Sequence, residues 1–309
     1  MSEHHPPYAP PHGGVTITPA LRERRHTLAF LDGIRRFSPV YLDTEVDMTG
    51  VRAHRAAHRA DGMHLSTVTY VLHAAARVLA DHPEANAAYR AGPRPRVARH
   101  ASVNGKLTLD KTLAGRRVVL AAVLPDLHRA ELADIQRQVE HYRDQDPATM
   151  PEFAGVRSLH RLPGAVAGLA FRATVGPLRT RARTLGTFAV TSLGHRPVDG
   201  FHSVGGTTVT LGVGRVLDRP VAVAGQVAVA PLMRLNLAFD HRVIDGAEAA
   251  DVLAEIKARL EAYAPPAHTP PADAAHRAGH DPGDPHLAAA PPTRTAAVGA
   301  GPETEGPDR

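Results

Sequence analysis

The sequence contains no cysteine among its 309 residues. This absence excludes disulfides, thiolate metal sites and a cysteine nucleophile. It is compatible with a reducing compartment, and the sequence predicts no metal site.

Lysine is scarce as well, with Lys106, Lys111 and Lys257 as the complete set, so the formal charge of +5 comes from arginines spread along the chain. Aromatic residues make up 4% of the sequence and do not alternate with a basic stripe. The patterns typical of nucleic-acid binding are therefore missing, and we expect no nucleic-acid partner. The charge would suit a polyanionic ligand such as coenzyme A.

Long apolar runs are also missing. The longest apolar-rich stretch, Leu162 to Val175, has about 14 residues and includes Arg172, whereas a bilayer needs about 20. We predict a buried or oligomer-facing helix there. Residues 1–14 are rich in His, Pro and Gly and lack the basic and apolar regions of a signal peptide. We therefore expect a cytoplasmic protein without membrane contact.

One stretch in the C-terminal third, residues 235–246, indicates a strand that runs into a turn and a helix. Leu235, Leu237 and Phe239 alternate with more polar residues, which indicates a strand, and apolar residues recur at helical spacing from Ala247 onward. His241 and Asp245 fall in the turn between the two elements. A rigid strand end can hold such side chains toward a cleft.

The run Asp240-His241-Arg242-Val243-Ile244-Asp245-Gly246 resembles the His-x-x-x-Asp-Gly motif of chloramphenicol-acetyltransferase-like enzymes. Its flanks are closer still to the catalytic domain of dihydrolipoyl acyltransferases, the core component of 2-oxoacid dehydrogenase complexes. Four further stretches are similar to that family, namely Arg25 to Ala29, Tyr41 to Met48, His82 to Ala87 and Gly186 to Gly194.

Periodicity predicts the remaining elements. We expect a first helix capped by Thr18-Pro19, a turn at Asn104-Gly105 and a helix-rich segment over residues 144–184. Further helices are predicted over residues 65–81 and 129–142, and strands over residues 40–48, 97–103, 106–109, 118–124, 186–194, 207–213 and 227–239.

The resemblance implies a two-layer α/β sandwich of the coenzyme A-dependent acyltransferase type, with a mixed sheet flanked by helices. The catalytic domain would span residues 15–263, with residues 144–184 atypical for the family. Residues 1–14 and the Pro-, Ala- and His-rich residues 264–309 are predicted to be disordered tails. The family forms homotrimers, or multiples of trimers, with each active site between two subunits.

The resemblance also assigns roles. His241 would be the general base that deprotonates the thiol of coenzyme A or dihydrolipoamide, and Asp245 would support the site through an ion pair with Arg25. Gly246 is expected to give the turn its freedom. Alternatively, Asp245 caps the following helix. Residues that bind coenzyme A are not predicted.

A hydroxyl on Thr191 or Ser192 would stabilise the oxyanion. Thr191 is favoured because it aligns with the serine of the family strand. The alternative is that Thr191 is simply a β-branched strand residue.

The lipoyl group would have to come from another molecule. Asp110-Lys111 resembles the turn that carries lipoic acid, yet no lipoyl domain of about 80 residues surrounds it, and about 20 residues precede the first helix. The expected partners are a separate lipoyl carrier protein, other 2-oxoacid dehydrogenase components or a small-molecule acceptor.

Two other functions stay open from the sequence. The chain could be a non-catalytic oligomeric scaffold that keeps the fold, although His241, Asp245 and the hydroxyl at 191 count against it. It could also be a condensation-type transferase, but Asp240 stands where those domains usually carry another histidine.

Overall fold

The computed structural model of the protein describes Val15, Ile17 and residues 21–264. Its helices are α1 (Arg25–Gly33), α2 (Thr49–Ala60), α3 (Thr67–Asp81), α4 (Leu132–Asp144), α5 (Ala154–Arg161), α6 (Gly164–Val175), α7 (Leu178–Thr184) and α8 (Gly246–Glu261). Its strands are β1 (Pro39–Asp47), β2 (Ala87–Arg90), β3 (Arg96–Arg99), β4 (Gly105–Leu113), β5 (Arg116–Leu124), β6 (Phe188–Ser192), β7 (Val209–Val223) and β8 (Gln226–Asp240).

Six of these strands form one mixed sheet in the order β1-β8-β7-β6-β4-β5. β6 lies parallel to both β4 and β7, while the remaining neighbours are antiparallel. β2 and β3 form a separate small ribbon. The predicted fold class, a mixed sheet flanked by helices, is confirmed.

Helices α3, α4 and α8 cover one face of the sheet and form the main core with it. α3 begins at Thr67, two residues after the predicted start, because the Ser66 hydroxyl accepts a hydrogen bond from the Thr69 backbone N–H at 3.2 Å and so caps the helix. Most of α3 is buried, including Tyr70 and Leu72. Apolar residues at helical spacing thus bring α3 and α8 onto the same face of the sheet.

The segment of residues 199–206 crosses the opposite face of the sheet. The Phe201 backbone N–H donates to Asn236 Oδ1 at 3.1 Å, and the Gly205 N–H donates to Thr210 Oγ1 at 2.9 Å. This approach requires glycine at Gly212, where a Cβ would lie 2.3 Å from the Phe201 carbonyl oxygen. Irregular chain therefore covers this part of the second face, while Phe30 of α1 packs against Lys106 of β4.

The predicted turn at Asn104-Gly105 is wrong. Gly105 begins β4, where a Cβ would lie 2.6 Å from Leu127 Cδ1, so close packing rather than turning requires the glycine. The hairpin turn between β4 and β5 instead lies at Ala114 and Gly115, with φ of 52° and 72°. Two successive residues with positive φ are typical of a tight hairpin turn that matches strand twist.

Residues 144–184 are helix-rich, as predicted, and contain α5, α6 and α7. α6 is not buried within the chain, because Leu169 is 69% exposed and Val166 47% exposed. The prediction of a buried helix is therefore wrong, and an oligomer-facing helix stays a prediction. No helix of the described residues combines the length and apolar character that a membrane span needs.

Several predictions about the chain ends lie outside the described residues. These are the cap at Thr18-Pro19 and the disorder of residues 1–14 and 265–309. The first described α-helix, α1, begins at Arg25.

A half-buried histidine of α3, His73, lies beside Tyr263 after the end of α8 and makes stability depend on pH. His73 Nδ1 lies 2.6 Å from Tyr263 Oη, and burial, followed by the charges of Arg77 and Arg259, lowers its pKa to about 4. His73 therefore takes up a proton below about pH 6.5 in the unfolded chain but only below about pH 4 in the folded chain. Stability should fall across that window by up to about 3 kcal/mol, at 1.36 kcal/mol per pKa unit.

We expect His73→Gln, which keeps a hydrogen-bonding side chain but does not titrate, to lose less stability than wild type between pH 7 and pH 4.5. Urea unfolding at both pH values measures the difference. His64→Gln, at an exposed loop position, is the matched control and should follow wild type. Equal losses for wild type and His73→Gln would contradict the assignment.

Candidate active site

The turn from β8 into α8 carries His241 and Asp245 together. The His241 backbone N–H donates to the Ser38 carbonyl at 2.9 Å, which ties the turn to the chain just before β1. The His241 side chain is 45% exposed, and its Nδ1 lies 3.3 Å from Asp245 Oδ1. A carboxylate at Nδ1 favours the tautomer that leaves Nε2 as the proton acceptor. The predicted base and the predicted carboxylate are therefore adjacent, with the imidazole accessible from solvent.

The alternative role of Asp245 as a helix cap is not realised by its side chain. Asp245 occupies the residue before α8 with extended backbone angles, but its side chain makes no capping hydrogen bond. Its carboxylate is 88% exposed and faces His241 instead.

The expected role of Gly246 is wrong. Gly246 is the first residue of α8, and a Cβ added there would meet no other atom within 4 Å. Among the described glycines with positive φ, Gly246 does not appear. The turn therefore needs no conformational freedom that only glycine supplies at this position.

The expected ion pair between Arg25 and Asp245 is also wrong. Arg25 Nη1 donates to the His160 carbonyl at 2.8 Å and to the Leu162 carbonyl. Both carbonyls lie at the C-terminal end of α5, where helix carbonyls lack partners within the helix. The guanidinium thus holds the junction of α5 and α6, and the carboxylate of Asp245 contacts His241.

An ion pair that sequence reasoning missed holds the turn from the other side. Asp240, whose side chain is 3% exposed, accepts from Arg242 Nε at 2.8 Å and from Arg242 Nη2 at 2.6 Å. The guanidinium also stacks on the rings of Tyr89 and Phe37, at 4.8 and 5.4 Å from their centroids. In the sequence, the available signal for this ion pair was an acidic and a basic residue two positions apart at the end of a strand. The two hydrogen bonds between Arg242 and Asp240 fix the backbone on both sides of His241.

Thr191 and Ser192 lie at the end of β6 and are half-buried. Thr191 Oγ1 donates to Thr108 Oγ1 on β4 at 3.0 Å, and Ser192 Oγ accepts from the Gly194 N–H at 3.4 Å. Thr108 was not predicted, because only the pairing of β4 beside β6 brings it to Thr191.

Both hydroxyls open onto a cleft of about 830 Å³. Its lining combines apolar and basic side chains. The apolar ones include Val68, Leu107, Leu109, Val118 and Val139, the basic ones are Arg24, Lys111, Arg117, Arg143 and Arg196, and the lining carboxylate Asp110 pairs with Arg117. A cleft of this kind suits a long, mostly apolar arm that ends in phosphate groups.

His241 and Thr191 are not brought together within one chain. Thr191 is in register with Gly212 of β7, which pairs with Asn236 of β8. His241 is five residues beyond Asn236, about 16 Å along the strand, and β8 is two strand spacings, about 10 Å, from β6. Base and hydroxyl are therefore roughly 19 Å apart on this geometry.

Residues 153–266 match the family described as 2-oxoacid dehydrogenases acyltransferase (catalytic domain). The match covers 114 of the chain's 309 residues. The matched range takes in α6, α7, β6 and the turn that carries His241 and Asp245.

Named proteins similar to this chain are components of 2-oxoacid dehydrogenase complexes. The dihydrolipoyllysine-residue succinyltransferase of Pseudomonas aeruginosa is 38% identical over 111 residues, 34% of this chain and 26% of that protein. The dihydrolipoyllysine-residue acetyltransferase of Corynebacterium glutamicum is 28% identical over 228 residues, 70% of this chain and 29% of that protein. The chain thus spans under a third of the length of these two relatives.

Solved structures share the fold of this chain. A probable dihydrolipoamide acetyltransferase from Listeria monocytogenes superposes with a TM-score of 0.60 at 22% identity, covering 81% of this chain and 96% of the other. The cubic core of a pyruvate dehydrogenase multienzyme complex gives a TM-score of 0.58 at 21% identity, covering 84% of this chain and 98% of the other. At these identities the likeness establishes the fold.

Proposed function

We propose that this chain is a coenzyme A-dependent acyltransferase that moves an acyl group between coenzyme A and a thiol of the dihydrolipoamide type. The observation that carries the proposal is the accessible imidazole of His241 at the end of a core strand, with the Asp245 carboxylate 3.3 Å from its Nδ1. The named relatives are dihydrolipoyllysine-residue acetyl- and succinyltransferases, which supports the same chemistry.

In the proposed reaction, Nε2 of His241 removes the proton of the attacking thiol. The thiolate sulfur then bonds to the thioester carbonyl carbon, the original carbon–sulfur bond breaks, and the leaving thiolate takes the proton back from the imidazolium. A thiol of pKa about 8.5 and an imidazole of about 6.5 make the first transfer uphill by about 2.7 kcal/mol. Asp245, at 3.3 Å from Nδ1, favours the ring orientation that presents Nε2 to the thiol.

The Thr191 hydroxyl would donate to the tetrahedral oxyanion. In the free chain its proton is directed to Thr108 Oγ1. When the oxyanion forms, Thr191 can turn its proton to the oxyanion while the Thr108 hydroxyl donates back to Thr191 Oγ1. We therefore include Thr108 as a residue that positions the donor.

The separation of roughly 19 Å between His241 and Thr191 means that one chain cannot carry out both roles on one carbonyl group. We propose a homotrimer, or a multiple of trimers, in which His241 of one copy faces Thr191 of a neighbour. The exposure of His241 supports this arrangement, as does the likeness to a protein that builds a cubic core.

The cleft beside Thr191 is the proposed path for the two thiol arms. Its apolar lining residues suit a pantetheine or lipoyl chain, and its basic lining residues suit the phosphates of coenzyme A. The lipoyl group would arrive on a separate carrier protein or on other 2-oxoacid dehydrogenase components. The scaffold alternative is not favoured, because base, carboxylate and hydroxyl are all retained.

The test is release of free coenzyme A from acetyl-, propionyl-, succinyl- and branched acyl-coenzyme A, with dihydrolipoamide as acceptor. We expect dihydrolipoamide-dependent release with at least one donor, and the preferred donor would name the acyl group. Absence of transfer from every donor, together with absence of coenzyme A binding, would contradict the proposal and favour the scaffold.

A further inference from the structure

A second cavity lies beside the Asp240–Arg242 pair and is separate from the cleft that contains Thr191. It has a volume of about 210 Å³. Residues of α1, β2, the α6–α7 junction and residues 206–208 line it, and none of them lines the Thr191 cleft. The proposed acyl-transfer reaction makes no use of this space.

The walls of this cavity carry an excess of positive charge. The described lining residues with charged side chains are one carboxylate, Asp240, and four guanidinium groups, those of Arg36, Arg90, Arg181 and Arg242. Both oxygens of Asp240 are already engaged by Arg242. The other three guanidinium groups therefore form no salt bridge with a carboxylate of the cavity wall.

Arg181 is the most constrained of these cations. Its Nε donates to the Val175 carbonyl at 3.0 Å and its Nη1 to the Tyr89 carbonyl at 2.8 Å, and it has no carboxylate partner among residues 21–264. Burial, followed by the neighbouring charges of Arg242 and Arg90, lowers the pKa of Arg181 from its ordinary value. A positive charge held by neutral carbonyls in a partly desolvated site would be stabilised by a bound anion.

Aromatic rings complete the lining. Phe30, Phe37, Tyr89 and Phe171 all border the cavity, in a chain with six tyrosines and seven phenylalanines. Guanidinium forks bind carboxylates through two parallel hydrogen bonds, and ring faces pack against an apolar body. The combination suits an anion with an apolar body better than it suits a bare ion.

The volume limits the size of the ligand. It equals the share of about seven water molecules in the liquid, at 30 Å³ each. A carboxylate with a short or ring-shaped body of about ten non-hydrogen atoms fits this space, whereas a whole coenzyme A molecule does not.

We propose that the cavity bounded by Arg181, Arg242, Tyr89 and Phe171 is a binding site for a small organic carboxylate. The carboxylate lies against the guanidinium groups of Arg181 and Arg90, and the apolar body lies between the rings. This site is additional to the proposed acyl-transfer site and does not depend on it, because binding is measured without turnover.

Calorimetric titration of the full chain with sodium benzoate tests the proposal, with inorganic phosphate and benzyl alcohol as comparison ligands. We expect one benzoate per chain, bound at least about tenfold more tightly than either comparison ligand, which is about 1.4 kcal/mol. Arg181→Met should weaken benzoate binding by about tenfold or more, since it removes a charged hydrogen-bond donor. Arg179→Met, an exposed arginine on the same helix, should bind like wild type.

Arg181 also joins α6 to β2, so its loss could disturb the fold. Arg90→Gln serves as a second variant, because Arg90 is exposed at the cavity and its removal takes away charge alone. It should weaken benzoate binding by about threefold or more while leaving the thermal midpoint unchanged. Absence of benzoate binding, or binding that neither variant weakens, would overturn the proposal. If phosphate bound as tightly as benzoate, the proposed preference for an organic ligand would be wrong. If benzyl alcohol bound as tightly as benzoate, the proposed role of the carboxylate charge would be wrong.

Discussion

His241→Ala is expected to lower kcat for acyl transfer from coenzyme A to dihydrolipoamide by about 10²- to 10⁴-fold, the usual contribution of a positioned general base. The imidazole of His241 is accessible, and Asp245 Oδ1 lies 3.3 Å from its Nδ1. Without it, the attacking thiol must lose its proton to water. KM for the acyl donor should change little, because the imidazole acts on the thiol proton rather than on the bulk of the donor.

The control for this loss is His64→Ala, which removes an exposed loop histidine and should leave the rate unchanged. Thermal unfolding of both variants checks that the fold is retained. Activity of His241→Ala within about threefold of wild type would exclude His241 as the base.

Thr191→Val is expected to lower kcat by about 10²- to 10³-fold, because it deletes the donor to the oxyanion at almost constant volume. Thr191→Ser should keep most of the activity, since the hydroxyl is retained. Ser192→Ala should cost little, because Ser192 Oγ accepts from the Gly194 N–H within its own turn.

Steady-state rates with the preferred donor measure all three variants. The alternative that Thr191 serves only as a β-branched strand residue predicts the opposite order, with Val tolerated and Ser destabilising. A large loss in Ser192→Ala alongside an active Thr191→Val would move the donor role to Ser192.

The sequence was most informative where an element is specified by its own residues. The helix capped by Ser66 and the strand leading to His241 follow from local periodicity and capping chemistry. The turn at Asn104-Gly105 was misplaced for the converse reason. Asn-Gly has a local preference for turns, but Gly105 is required by its close approach to Leu127, which belongs to another part of the chain.

The same distinction applies to the candidate site. His241 and Asp245 lie four residues apart in one turn, so a short sequence motif is enough to predict that they are neighbours. The partner of Arg25 could not be read in this way, because it depends on how α5 and α6 dock against α1. Thr108 and Arg181 were missed since their neighbours are set by strand pairing and helix packing.

Activity of mixed oligomers tests whether each site takes its base from one copy and its hydroxyl from another. His241→Ala and Thr191→Val chains, each nearly inactive alone, are co-expressed in equal amounts and assayed for acyl transfer. We expect about a quarter of wild-type activity, because each site draws its two groups at random from equal pools of chains. Activity equal to the sum of the two separate variants would contradict a site shared between copies.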